Sequence, residues 1–202
     1  MASSNERLVL ASASPVRARL LRCAGVDFAV APADLDEAAI KRRLRGEANS
    51  AAACALALAE AKARAISDRD PQALVVGADQ ILVCGAEWFD KPEDLAAAGR
   101  QLRALRGHAH VLETAVCVVR AAKRLWSLVE APRLAMRDVS DEFVDGYLAA
   151  EGEAILGSVG GYRLEGRGVQ LFERIEGDYF SVLGLPLIPL LAALRELGQL
   201  PG

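Results

Sequence analysis

The chain has 202 residues, 52% of them hydrophobic and 25% charged, with a formal net charge of −3. That size and apolar content are enough for one large or two small cored domains, and they exclude a disordered or fibrous chain. The acidic balance offers no global attraction to polyanions, and no local basic cluster stands out, so neither nucleic acid nor a membrane is expected as a partner.

The polar residues Ser3 to Arg7 come first, and the apolar run after them is too short for a secretory segment. No signal peptide is expected, and the location read from this is cytoplasmic. Leu8 to Leu21 reads LVLASASPVRARLL: a strand at 8–11, two serines and a proline, then a helix at 15–24 stopped by Gly25. Ser14 suits an N-cap and Pro15 a first helical position. Ser12 then sits at the carboxyl end of the strand with its hydroxyl free for a ligand. The first N–H groups of a helix lack intrahelical partners and the dipole is positive there, so this order can build an anion pocket. An ordinary capped helix is the plainer alternative. Arg17 lies three and four residues before Leu20 and Leu21 and shares their sheet-facing side, whereas Arg19 and Arg22 fall outside.

An extended piece spans 26–31, and the alternating acids and bases from Asp34 to Arg45 read as a solvated helix face. Glu37 within it is a surface acid or a metal ligand. A helix follows over about 49–67, and Lys62 interrupts its inward stripe one turn from both Leu58 and Ile66. A buried ammonium there needs an anionic partner, unless the side chain snorkels out. Leu74 to Ala78 is a buried strand, which Ile81 to Val83 either continue or turn into a hairpin. Asp79 thus falls at the carboxyl end of a buried strand, where ligands bind in open α/β sheets; a solvated strand end is the alternative. Pro92 is expected to open a helix carrying Leu95, Ala98, Leu102 and Leu105, ended by Gly107. Lys91 would then precede a helix N-terminus, where a cation is disfavoured unless an anion is bound.

Strands are expected near 110–119 and 124–135, with His108 and His110 on one strand face and no third metal ligand beside them. Ser140 caps a helix whose apolar stripe is Phe143, Val144, Tyr147 and Leu148. The tail reads as glycine-rich turns, a strand pair near 162–173 and a helix over about 189–197. Cys23, Cys54, Cys84 and Cys117 form no CxxC pair, which argues against zinc and for reduced thiols. The alternation of helices and strands predicts an α/β layered fold. One carboxylate, one helix-terminal anion site and three cations together suit a nucleoside polyphosphate with a divalent metal. No G-x-x-x-x-G-K-[ST] and no helix-opening G-x-G-x-x-G occurs, so kinase and dinucleotide readings lose support.

The segment LASASPVRARLL, Leu10 to Leu21, resembles the N-terminal hallmark of the Maf family of nucleoside triphosphate pyrophosphatases. Further matches follow in order: Asp36-Glu37, Ala61-Lys62-Ala63, Gly77-Ala78-Asp79-Gln80, Lys91-Pro92, His110 with Val111 and Thr114, Gly160-Gly161-Tyr162, and Gly177-Asp178-Tyr179 leading to Gly184-Leu185-Pro186. The resemblance implies one domain over residues 1–202, an elongated α/β fold with a mixed central sheet, flanking helices and a cleft between two lobes. It implies hydrolysis of a nucleoside triphosphate to monophosphate and pyrophosphate with a divalent cation, Mg²⁺ or Mn²⁺. It makes Asp79 the proton acceptor, Glu37 and Asp79 metal ligands, and Ser12, Arg17, Lys62 and Lys91 phosphate-binding residues. A homodimer is compatible with it.

Val16, Gln80 and Glu165 occupy the positions that separate branches of that family, and they are similar to the 7-methyl-GTP branch rather than the dTTP and UTP branch. An ionised glutamate is acceptor-only, which suits the two adjacent donors on the guanine edge; an amide suits the alternating uracil or thymine edge. Arg163 and Arg167 would share a strand face with Glu165, so a surface charge ladder is the competing account. The other readings of the whole chain are a dTTP/UTP pyrophosphatase of the same family, and a nucleotide-binding regulator of septum formation with little catalysis.

Overall fold

The computed structural model describes residues 7–47 and 50–201. The polar stretch before Arg7, where no targeting segment is expected, lies outside the described residues, as does position 49, the expected start of one helix. Eight strands make one mixed sheet in the order β2-β1-β3-β5-β7-β8, with β4 on β3 and β6 on β5. β1 (Leu8–Leu10) runs parallel to β2 (Ala29–Val30) and to the start of β3 (Leu74–Cys84). Along one whole edge β3 pairs antiparallel with β5 (Ala109–Arg120). On its other edge β1 covers only Leu74 to Val76, and β4 (Glu87–Phe89) covers only Leu82 to Cys84. Among the described residues no strand covers the middle of β3 on that edge.

This overturns the expectation that Asp79 ends a strand. Ile81 to Val83 continue β3, because β5 supplies an unbroken ladder from Val75 to Val83. The stretch expected as one strand at 124–135 is two, β6 (Lys123–Glu130) and β7 (Arg133–Met136), which lie end to end along β5. Pro132 sits at the break, where a residue without an N–H cannot serve a ladder. No strand pair forms at 162–173. The residues 152–171 instead hold three short 3-10 turns, and only β8 (Phe172–Glu176) joins the sheet, on β7. Gly160 and Gly161 adopt φ of 78° and 68°, a left-handed conformation that breaks an extended run. Glu165 consequently lies on a turn, and the strand-face ladder with Arg163 and Arg167 does not exist.

α1 (Pro15–Cys23) begins as predicted, with Ser14 accepting from the Arg17 N–H. α2 (Glu37–Gly46) is capped by Asp36 and α3 (Ala51–Ser67) by Ser50. α4 (Leu95–Leu105) starts three residues later than Pro92, because the Asp94 carboxylate caps the Ala97 N–H at 2.6 Å. Lys91 is thus on a loop and the helix-dipole argument for it falls away. α5 (Asp141–Glu151) has its Ser140 cap, while α6 (Tyr179–Val182) and α7 (Leu187–Glu196) close the chain. Among the described residues no helix is long and apolar enough to cross a membrane.

Strand alternation sends Leu74, Val76 and Ala78 of β3 to one face, against Leu20 and Leu21 of α1 and Leu190 of α7. Val75 and Ile81 go to the other, against Ala55, Leu58 and Ala59 of α3. The far end of the sheet, with Leu82, Leu112 and Leu134, packs on α4, α5 and the 3-10 turns as a separate cluster. Gly77 allows the contact with α3 to be close: a Cβ there would stand 2.1 Å from the Ala59 carbonyl oxygen. His108 lies before β5 and is exposed, whereas His110 is buried, so the two histidines do not share a strand face.

Candidate active site

A cavity of about 600 Å³ opens where the β3 edge is uncovered, between the α1, α2 and α3 side and the turns at 157–165. Its volume lies within the range usual for small-molecule sites. Asp79 is 7% exposed on its floor and points to the α3 face. The close α3 packing at Gly77 brings Lys62, 8% exposed, to 2.6 Å from Asp79 Oδ1. The same ammonium is 2.8 Å from Glu37 Oε2 at the start of α2. Lys62 therefore does not snorkel, and Glu37 is not a remote surface acid.

Arg17 reaches the cavity from α1. Its Nε donates to the Gly184 carbonyl at 2.7 Å, and one terminal nitrogen donates to Ser12 Oγ at 3.1 Å and to the Ala78 carbonyl at 2.9 Å. Ala78 lies on the uncovered stretch of β3, so the guanidinium stands where a strand neighbour would. Burial lowers the Arg17 pKa, and Asp79 and Glu37 oppose that. Ser12 Oγ also accepts from the Ser14 N–H at 3.3 Å, so its hydroxyl is not free as an acceptor; its proton remains available to donate. Lys91 is exposed at the rim. Desolvation against the wall lowers its pKa, as do Arg17 and Lys62, while Glu37 and Asp79 raise it. An anion arriving there relieves this repulsion.

Val16, Gln80 and Glu165 also line the cavity. Gln80 points to the face opposite Asp79, and its amide nitrogen donates to Thr114 Oγ1 at 2.8 Å and to the carbonyls of Ser181 at 3.0 Å and Val182 at 3.3 Å. Those bonds tie β3 to the loop that holds Arg17 through Gly184. Glu165 Oε1 is 3.6 Å from Arg163 and 3.7 Å from Arg19, across from α1. Leu112, Val159, Tyr162, Leu164 and Leu183 make the apolar end. Tyr162 is held from behind by His110, whose Nε2 is 2.8 Å from the tyrosine oxygen.

Lys41, Arg42, Arg45 and Asp90 also line the cavity, and the sequence reading missed them. The segment read as a solvated helix face has one side on the cavity. The available signal was the spacing of Glu37, Lys41 and Arg45, four residues apart, which places them on one helix face. Lys41 forms an ion pair with Asp90, and the Arg45 guanidinium lies 5.0 Å from the centre of the Trp88 ring.

Among the described residues no group of three or more metal-binding side chains converges. Glu37 and Asp79 still approach one point, now filled by the Lys62 ammonium. Two carboxylates fit a hard divalent cation that takes its other ligands from phosphate oxygens and water.

A model of the family described as "Maf-like protein" matches residues 7–197. The chain is similar to "Nucleoside triphosphate pyrophosphatase" of Granulibacter bethesdensis, 54% identical over 190 residues, covering 94% of this chain and 96% of that protein. It is similar to "7-methyl-GTP pyrophosphatase" of Rhizobium etli, 46% identical over 198 residues, covering 97% and 98% of the two chains. To "7-methyl-GTP pyrophosphatase" of Brucella suis it is 48% identical over 190 residues, covering 94% and 96%.

Proposed function

The chain belongs to the Maf family, and on that premise we propose that it hydrolyses a nucleoside triphosphate, 7-methyl-GTP or a related modified nucleotide, to the monophosphate and pyrophosphate. The observation that carries this reading is the buried Asp79 carboxylate, held 2.6 Å from Lys62 Nζ on the floor of a cavity with cationic walls. Asp79 Oδ1 is engaged by Lys62, and Oδ2 accepts no hydrogen bond from the described residues. That second oxygen takes the proton of a water as the water oxygen attacks the α-phosphorus. The bond from that phosphorus to the bridging oxygen breaks, and pyrophosphate leaves with the electron pair. Arg17 and the Ser12 hydroxyl orient phosphate oxygens, and Lys91 adds charge from the rim. Glu37 and Asp79 would hold Mg²⁺ or Mn²⁺, which supplies neutralisation of charge on the phosphates.

The apolar end, from Leu112 to Leu183, suits a base and ribose, and Glu165 stands at its edge. Its carboxylate matches the two adjacent donors of a guanine edge. The two arginine contacts, at 3.6 and 3.7 Å, are ion pairs longer than a hydrogen bond, so the carboxylate can still accept from a base. Val16 offers an apolar wall beside it. The activity is read as a cytoplasmic one, and the four free cysteines suit a reducing compartment.

The test is a panel of standard and methylated triphosphates with purified protein and Mg²⁺ or Mn²⁺, reading pyrophosphate release. Turnover is expected to be highest on a 7-methylated guanine nucleotide, and Glu165→Gln is expected to move preference toward UTP or dTTP. Wild-type turnover of UTP or dTTP above that of 7-methyl-GTP would remove the substrate assignment. Nucleotide binding without any metal-dependent release would remove the enzyme reading.

A further inference from the structure

We propose that Lys41 and Arg42 of α2, with Arg45 one turn further on, form the wall that holds the pyrophosphate leaving group, and that Lys41 exchanges its partner Asp90 for phosphate when substrate enters. This rests on the hydrolysis proposed above and names residues beyond those assigned to it.

The inner cations are largely spent on the protein. Lys62 is bracketed by Asp79 at 2.6 Å and Glu37 at 2.8 Å, so this trio carries no surplus positive charge. Arg17 commits Nε to the Gly184 carbonyl and a terminal nitrogen to Ser12 and Ala78, which leaves only its other terminal nitrogen uncommitted. Lys91 adds one further charge, from the rim. A triphosphate tail is a polyanion, and beyond the divalent cation that Glu37 and Asp79 would hold, the site needs another source of positive charge near the outer phosphates.

The geometry of α2 places that source. Glu37 begins the helix at the Lys62 and Asp79 cluster, and Lys41 follows one turn later on the same face. One turn advances about 5.4 Å, comparable with the span from the α- to the γ-phosphorus. The opposite end of the cavity is apolar, from Leu112 to Leu183, and suits a base rather than phosphates. A nucleotide with its α-phosphorus at Asp79 and its base on the apolar end thus extends its outer phosphates along α2. Arg42 lines the cavity and makes no ion pair among the described residues. Among the described residues Lys41 pairs with Asp90 alone, and the two side chains are 21% and 71% exposed. Asp90 stays solvated if the pair opens, so phosphate can take its place on Lys41.

The experiment is calorimetric titration of wild type, Lys41→Ala, Arg42→Ala and Arg43→Ala with inorganic pyrophosphate, and separately with a guanosine monophosphate, each with Mg²⁺. Arg43 lies on the same helix outside the cavity lining and controls for loss of charge. Lys41→Ala and Arg42→Ala are each expected to weaken pyrophosphate about tenfold. Monophosphate affinity should stay within about twofold, as should both affinities of Arg43→Ala. Circular dichroism melts of each variant show that the fold is intact. Pyrophosphate affinity in the two variants equal to that of Arg43→Ala would overturn the proposal, as would an equal loss for monophosphate. The readout needs no turnover. A protein that hydrolyses nothing but loses pyrophosphate in Arg42→Ala supports this wall and refutes the enzyme reading, whereas normal turnover with unchanged pyrophosphate affinity refutes this wall alone.

Discussion

Lys62 and Asp79, 17 residues apart in sequence, form a buried ion pair at 2.6 Å across the contact between α3 and β3. Each side chain is 10% exposed, so neither charge has water as a substitute partner. Removing Lys62 leaves the buried Asp79 carboxylate without its ion-pair partner, whereas Lys62 would keep Glu37. Lys62→Met should therefore cost on the order of 3 kcal/mol in urea unfolding, and adding Asp79→Asn should recover part of that loss. A Lys62→Met protein as stable as wild type would show that the pair does not matter to the fold. Asp79→Asn alone is expected to abolish pyrophosphate release while nucleotide affinity, read by titration, persists.

Gly77 sets how closely α3 approaches that pair. An added Cβ would lie 2.1 Å from the Ala59 carbonyl oxygen and 2.9 Å from Ala63 Cβ, both on the α3 face that carries Lys62. Gly77→Ala must push the helix away, at a cost of about 3 kcal/mol, and must lengthen the contact between Lys62 and Asp79. Thermal melting and turnover should fall together. Gly146→Ala, inside α5 where a Cβ meets nothing within 4 Å, is the control and should leave turnover unchanged and melting unchanged or slightly raised.

Arg17 joins a loop to a strand, through the carbonyls of Gly184 and of Ala78 on β3. A lysine retains the charge and loses the planar fork that serves three acceptors. Arg17→Lys is expected to raise KM at least tenfold, with a lower melting temperature because buried carbonyls lose their donors at about 1 kcal/mol or more each. An unchanged KM measured over a full substrate range would show that the guanidinium is structural alone.

His110 imposes a pH dependence on stability. Burial lowers its pKa to about 4 from an ordinary value of about 6.5, and its Nδ1 has no partner among the described residues. Between those values the unfolded chain takes up a proton that the folded one refuses, so stability is full above about pH 6.5 and falls as pH drops toward 4. The contribution is on the order of 3 kcal/mol. His110→Gln keeps a polar group near Tyr162 and cannot titrate, so urea midpoints of the variant at pH 7 and pH 4.5 should differ less than those of wild type.

The four thiols should divide by burial. Cys23 is exposed, Cys54 and Cys117 are buried, and burial pushes Cys117 up to about 12. A thiol reagent at pH 8 should label Cys23 first and leave Cys54 and Cys117 until denaturant is added, because the thiolate is the reacting form. Peptide mapping of the labelled native protein checks the order.

Much of this site is written in local rules. Ser14 and Pro15 begin α1 because capping acts within one turn. Arg17 shares the inward side of Leu20 and Leu21, and Lys62 the stripe of Leu58 and Ile66, because helical spacing alone sets which residues share a face. The Ser140 cap and the α5 stripe follow the same logic. What failed depended on neighbours distant in sequence. β3 does not stop at Asp79, since β5 carries it onward to Val83 while β1 leaves and β4 arrives on the other edge. The residues 162–173 have strand-like composition but take 3-10 turns, with glycines in left-handed conformations before them. The cavity-facing side of α2 was hidden for the same reason: a row of charges looks alike whether it meets water or a site. Capping and periodicity are energies between residues a turn apart, and so they are present in any stretch of chain. The uncovered edge of β3 exists only after β1, β4 and β5 have paired, and Arg17 meets Gly184, 167 residues away, only in the folded chain.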